Sequence, residues 1–168
     1  MTPSTRPIAE PVAGACGRVE LNITSTPHSL PVVRAAVERM ARTEGFSETD
    51  AHALTWAIDE ALSNVIRHGY QNQPNQPITV SLEAVRAADG RTGLSVIIRD
   101  MGRQVDLESI QSRDLDEIRP GGLGVHVIRS IMDEVEYSCP PEGGMKLKML
   151  KYPVRPSDPS SPVPRKES

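Results

Sequence analysis

Aromatic side chains are scarce: Phe46, Trp56, Tyr70, Tyr137 and Tyr152 amount to 3% of 168 residues. The core must therefore be built from Val, Ile, Leu, Met and Ala. A surplus of positive charge is missing too. Lys and Arg number 19 against 22 Asp and Glu, a formal net charge of -3. That excludes a broad electrostatic nucleic-acid binder, which needs a basic face, so no direct nucleic-acid partner is expected. A small anionic ligand held in a local pocket remains compatible. No apolar run approaches the roughly 18 residues of a spanning helix, and residues 1–17 lack the basic start and apolar stretch of a secretory signal. Without a membrane partner or an export signal, a cytoplasmic location is expected. The two cysteines, Cys16 and Cys139, lie far apart and neither has a CxxC neighbour. They read as free thiols in a reducing compartment rather than as a zinc site.

What is present falls into one domain with two proline-rich ends. Residues 1–16 carry Pro3, Pro7 and Pro11, and residues 153–168 carry five more prolines among Ser and charge. Neither end can bury much apolar area, so both are expected to be flexible tails. The folded unit is expected over residues 17–152, and with 38% hydrophobic residues it can bury one real core.

Arg18 to Ile23 alternates as a strand, with Val19, Leu21 and Ile23 on one side. Ser29 is placed to cap a helix with Pro31 in its first turn, and Leu30, Val33, Val37 and Met40 recur at helical spacing until Gly45. Ser47 and Asp50 resemble a capping box for a second helix over residues 48–68. Leu54, Ile58, Ala61, Leu62 and Val65 form its apolar stripe, with Glu60, Asn64 and Arg67 on the opposite side. Strands are expected over residues 78–85, 94–99, 135–137 and 145–150, with turns at Asp89-Gly90 and residues 140–144. A helix opens at Gly121-Gly122-Leu123-Gly124 and runs through Asp133. The order β-α-α-β-β-loop-α-β-β predicts an α/β two-layer sandwich, a mixed and mostly antiparallel sheet with helices on one face.

Three elements carry chemistry. Glu60 and Asn64 are four apart on one helix, so they are neighbours. A carboxylate beside an amide oxygen suits a magnesium site, a proton acceptor or both, although a solvated helix face has the same composition. Asp100 ends an apolar strand on the parity of Leu94, Val96 and Ile98, which points it towards the core. There an ionised carboxylate needs donors, and a ligand amino group would serve. Gly102 permits close approach by a flat ligand, although an ordinary Asp-x-Gly turn reads the same way. Gly121, Gly122 and Gly124 expose backbone N–H groups at a helix start, which favours phosphate. A flexible turn is the rival reading.

In order, Glu60-Ala-Leu-Ser-Asn64, Asp100-Met-Gly102 and Gly121-Gly-Leu-Gly124 with the following helix resemble the ATP-binding domain shared by gyrase, Hsp90, histidine kinases and MutL. The resemblance is strongest to its small single-domain branch, the anti-sigma factor serine/threonine kinases of bacterial partner switching. It covers about residues 18–151. The resemblance implies a Bergerat-type ATP-binding fold that holds ATP and Mg²⁺ between helices and sheet. It also implies transfer of the γ-phosphate to a serine or threonine of an anti-sigma-factor antagonist protein, binding of a sigma factor, and a homodimer. On this chain it makes Glu60 the general base or the residue that positions it, and Asn64 the Mg²⁺ ligand. Asp100 would accept from the adenine amino group with Gly102 beside the ring. Gly122, Leu123 and Gly124 would sit at the phosphates with Arg119 adding charge, and residues 103–120 would form the lid.

Two departures bear on this. Met145 follows Gly143-Gly144 where many relatives place a threonine that joins the water network at adenine. The lid holds Arg113 and Arg119 but no lysine. The competing expectation is a nucleotide-responsive protein-binding module without kinase activity. A detached histidine-kinase catalytic domain and a non-enzymatic domain follow behind. His68 matches a histidine frequent in the resembled family at this place and reads as a capping or packing residue. His28, His52 and His126 show no metal-ligand spacing, Trp56 reads as structural, the acidic run Asp133, Glu134 and Glu136 reads as a solvated or partner-facing surface, and Arg86, Arg91 and Arg99 read as solubilising positions.

Overall fold

A computed structural model describes residues 10–11, 17–105 and 123–154. Its elements are β1 (Glu10–Pro11), β2 (Val19–Thr24), α1 (Leu30–Thr43), α2 (Glu48–Asn64), β3 (Pro77–Arg86), β4 (Thr92–Asp100), α3 (Leu123–Ile131), β5 (Glu134–Ser138) and β6 (Lys146–Lys151). The strands form a six-stranded sheet in the order β1-β3-β4-β6-β5, with β2 on the same edge of β3 as β1. The mostly antiparallel sheet expected from the element order is antiparallel at every pairing among the described residues. Glu10–Pro11, within the expected N-terminal tail, pairs with Arg86 and Val85. The remainder of residues 1–16 and the tail beyond residue 154 lie outside the described residues.

The period-two pattern decides which face is buried. Leu21, Val80, Ile98 and Leu147 stand in register across four strands, as do Val19, Leu82, Val96 and Met149. These positions join Val33 and Val37 of α1, Leu54, Ile58 and Leu62 of α2 and Ile128 of α3 in one core. The helices therefore lie on one face of the sheet. Each fully buried Leu or Ile contributes about 2 kcal/mol, which aliphatic residues supply without many rings.

The local signals worked unevenly. Gly45 adopts φ +85° and ends α1, with Phe46 N–H donating to the Ala41 carbonyl at 3.0 Å. Ser47 caps α2, its hydroxyl accepting from Asp50 N–H at 3.0 Å. Ser29 does not cap α1. A 3-10 turn over Pro27–Ser29 leads straight into that helix, and Ser29 is already helical, so its hydroxyl cannot reach back. The expected helix over residues 48–68 stops being α-helical at Asn64 and widens into one π turn, Val65–Gly69.

Candidate functional site

The site is built along α2. One turn of that helix places Glu60 against the start of α3. A Cβ added to Gly124 would strike the Glu60 carboxylate, with Cδ at 2.9 Å, so glycine is what lets the first turn of α3 come this close. Glu60 Oε1 also receives Arg67 Nη2 at 3.4 Å, and its side chain is 26% exposed. Asn64 lies one turn further on, half-buried and immediately before the π turn. Glu60 and Asn64 are thus not on a solvated back face. Both are part-buried, and Glu60 faces the start of α3.

The far end of the π turn meets the end of β4. Arg103 N–H donates to the Gly69 carbonyl at 2.9 Å, and a Cβ on Gly102 would lie 2.7 Å from that same peptide. Tyr70 locks the junction, its hydroxyl accepting from Met101 N–H at 2.7 Å and donating to the Pro77 carbonyl at 2.5 Å. Asp100 sits here, 3% exposed. Its Oδ1 accepts from Gly102 N–H at 2.8 Å and from Met145 N–H at 3.4 Å. Burial pushes its carboxyl above the usual aspartate value of 3.8, while those two N–H groups and the nearby Arg99 charge pull the other way. Among the described residues no donor reaches Oδ2.

Met145 meets Asp100 through its backbone and offers no hydroxyl. Its side chain packs, 8% exposed, while its backbone N–H supplies a hydrogen bond to Asp100. Sequence reasoning weighed only the side chain at this position. It also missed Arg99, whose guanidinium donates to the carbonyls of Asp100, Met145 and Gly143 and lies 3.6 Å from Glu142. Arg91 pairs with Asp89 at 2.7 Å and covers the Tyr152 ring at 4.8 Å, so neither arginine merely solubilises. Asp133, read as part of a charged surface, instead accepts from Tyr152 N–H at 2.7 Å and from Lys151 Nζ at 3.3 Å. Trp56 is not structural in the sense of core packing, being 59% exposed. Arg119, Gly122 and residues 106–120 of the expected lid lie outside the described residues, and of Leu123 only the backbone, which opens α3, is described.

Glu60 and Gly69 are nine residues apart, roughly 13 Å along a helix. The convergence thus has two poles on one element, a carboxylate at the α3 start and a buried carboxylate at the β4 end. The three elements singled out in the sequence meet there. Residues 23–151 match the histidine kinase-like ATPase domain family. The chain belongs to that family.

Its relatives within the histidine kinase-like ATPase domain family include the serine-protein kinase RsbW of Bacillus velezensis, 27% identical over 80% of this chain and 84% of the relative. The serine-protein kinase RsbW of Bacillus subtilis is 25% identical over the same shares, and that of Staphylococcus epidermidis is 27% identical over 80% and 86%. Among solved structures, the RsbU and RsbW domains of a Mycobacterium tuberculosis protein superpose with a TM-score of 0.57 at 19% identity, covering 83% of this chain and 33% of that one. A SiaB-SiaC complex from Pseudomonas aeruginosa gives 0.57 at 16% identity, covering 77% and 88%. At these identities the structures establish the fold, a histidine kinase-like ATPase sandwich.

The residues fit the groups that the family implies. A buried carboxylate whose Oδ2 takes no hydrogen bond from the described residues suits the amino group of a nucleobase, and the glycines at 102 and 124 allow close approaches, to the Gly69 backbone and to Glu60, that a Cβ would block. No cluster of three or more His, Cys, Asp or Glu stands ready to cage a metal among the described residues. Magnesium needs no such cage. It keeps water and phosphate oxygens and takes one or two protein ligands, which the Glu60–Asn64 pair can supply. A cleft of about 280 Å³ opens at the β4 pole, lined by Gly69, Met101, Gly102 and Arg103 and edged by Gln71, Gln73 and Gln76; neither Glu60 nor Gly124 lines it. No helix among the described residues is long and apolar enough to cross a membrane.

Proposed function

We propose that this chain is an ATP-dependent protein serine/threonine kinase that phosphorylates a small anti-sigma-factor antagonist protein and also holds a sigma factor, acting as a homodimer. The observation that carries the reading is the contact of Glu60 with Gly124 at the opening of α3. It puts a carboxylate where a helix N-terminus favours phosphate, so an acceptor hydroxyl approaching the terminal phosphate would meet a base. The curated relatives named serine-protein kinase support the transfer chemistry.

The roles divide along α2. Glu60 takes the proton of the attacking hydroxyl, and Arg67 steadies its carboxylate from the exposed side. Asn64 would hold Mg²⁺, which when bound neutralises phosphate charge and aligns the transferred group. Asp100 accepts from the adenine amino group, with Gly102 beside the ring. By the family resemblance, the backbone N–H groups of Gly122, Leu123 and Gly124 would serve the phosphates, with Arg119 adding charge. The folded unit is residues 17–152, with Glu10–Pro11 added to the sheet edge. Phosphoryl transfer depends on positioning and charge neutralisation more than on covalent help, and each residue supplies one of these.

The test is transfer of radiolabelled phosphate from ATP to an antagonist domain encoded beside this gene. Wild type labels a serine or threonine. Glu60→Ala still binds ATP, yet its transfer rate falls by about a hundredfold or more. ATP binding without any labelled partner would overturn the kinase and leave a nucleotide-responsive module. Labelling undiminished in Glu60→Ala would remove the proposed base.

A further inference from the structure

Arg99 and Asp100 are sequence neighbours on opposite faces of the sheet. Asp100 points with Ile98 and Val96 to the helices, while Arg99 stands opposite Lys146 on the other side. From there the Arg99 side chain, 21% exposed, turns past the end of β4 and grips the segment after β5. Nη2 donates to the Gly143 carbonyl at 2.5 Å and Nη1 to the Met145 carbonyl at 3.1 Å. Nη1 also donates to the carbonyl of Asp100. The planar fork of a guanidinium can serve several carbonyls at once, which an ammonium on a flexible stem cannot do in fixed geometry.

The gripped segment is tight. Gly143 and Gly144 both have positive φ, +101° and +65°, and a Cβ on Gly144 would lie 2.6 Å from Met101 Cα. The next residue, Met145, exchanges two hydrogen bonds with Asp100. Asp100 N–H donates to the Met145 carbonyl at 3.1 Å, and Met145 N–H donates to Asp100 Oδ1 at 3.4 Å. Arg99 therefore sets where the Met145 N–H lies. That N–H and Gly102 N–H occupy Oδ1 together, and Oδ2 takes no hydrogen bond from the described residues, which leaves it as the acceptor for a ligand.

We infer that Arg99 is a positioning residue for base selection: by clasping the Gly143–Met145 turn it holds the Asp100 carboxylate in the one orientation that accepts an adenine amino group and repels the carbonyl oxygen of guanine. The inference rests on the nucleotide reading above and adds the device that makes Asp100 selective. Adenine offers an amino donor where guanine offers an acceptor, so a fixed carboxylate discriminates between them and a swivelling one discriminates less. A surface arginine that only made the protein soluble would leave this ratio untouched.

The experiment measures dissociation constants for ATP and GTP with magnesium on the full chain by calorimetry, for wild type, Arg99→Met and Arg99→Lys, with melting temperatures alongside. Wild type favours ATP. Arg99→Met weakens ATP binding by about tenfold and leaves GTP binding within about twofold, so the preference collapses. Arg99→Lys keeps the charge without the fork and falls between them. A preference unchanged in Arg99→Met, or ATP and GTP weakened alike, would overturn the inference while sparing the nucleotide site. Should Arg99→Met fail to fold, a wild-type preference in Arg99→Lys overturns it equally. A wild type that binds neither nucleotide removes the nucleotide reading itself, and the inference with it.

Discussion

The two poles of the site are built by different means. At the β4 end, Asp100 is 3% exposed and its carboxylate is fixed by backbone N–H groups from two separate turns. At the α3 end, Glu60 is 26% exposed and is met, among the described residues, by the bare backbone of Gly124, with Arg67 reaching it at 3.4 Å. The first arrangement is rigid and recognises. The second is adjustable, which suits a group that must meet an incoming protein hydroxyl. Pre-organised backbone donors cost little to align when a ligand arrives, whereas a side chain on an open helix face can follow its substrate.

The contrast can be broken most severely at the rigid pole. Asp100→Asn exchanges the acceptor for an amide, and ATP affinity should fall by about a hundredfold while catalytic residues stay in place. Its stability should move the other way. The folded-state pKa of Asp100 lies above the ordinary 3.8, so the neutral form favours folding and that contribution is lost as pH rises through the raised value. At pH 7 Asp100→Asn should melt at or above the wild-type temperature, with the gain vanishing below the ordinary aspartate value. Calorimetry across pH would show this, and a destabilised neutral variant that binds ATP normally would refute the account of this pole.

A smaller effect is expected at the adjustable pole. Gly124→Ala would push the end of the Glu60 side chain aside, and since that end is flexible the fold should persist. Steady-state kinetics should show the transfer rate down by about tenfold with the ATP dissociation constant near wild type. An unchanged rate would mean that the Glu60–Gly124 approach is not part of the chemistry. The smallest effect belongs to the joint between the poles. Tyr70→Phe removes the hydroxyl that ties Met101 to Pro77, and should lower unfolding free energy by about 1 kcal/mol in urea titration. If ATP affinity fell far more than stability, Tyr70 would belong to the binding pole itself.

Much of this was legible along the chain. The alternation in β2, β3 and β4 places Val80, Val96 and Ile98 on the helix side, and the same parity carries Asp100 inward. Glu60 and Asn64 were legible through their spacing and Gly124 through the glycine run. The π turn after Asn64 was not, because a helix that widens by one residue keeps the apolar period almost intact. Arg99 was not legible either. The partners that give it a role include backbone carbonyls more than forty residues away, at Gly143 and Met145, and a carbonyl leaves no mark in residue identity. Ser29 shows the opposite failure, a good capping residue left unused because a 3-10 turn had already made its backbone helical.

Periodicity and residue chemistry alone decided the α/β sandwich, the inward aspartate and the carboxylate–amide pair, because each depends on repeats of two or four residues that local geometry enforces. Which of those groups meet was a matter for the tertiary structure. Gly124 reaches Glu60 and the Gly143–Met145 turn reaches Asp100 only after the sheet has closed around one core, since contacts between distant segments depend on packing that no short stretch of sequence encodes.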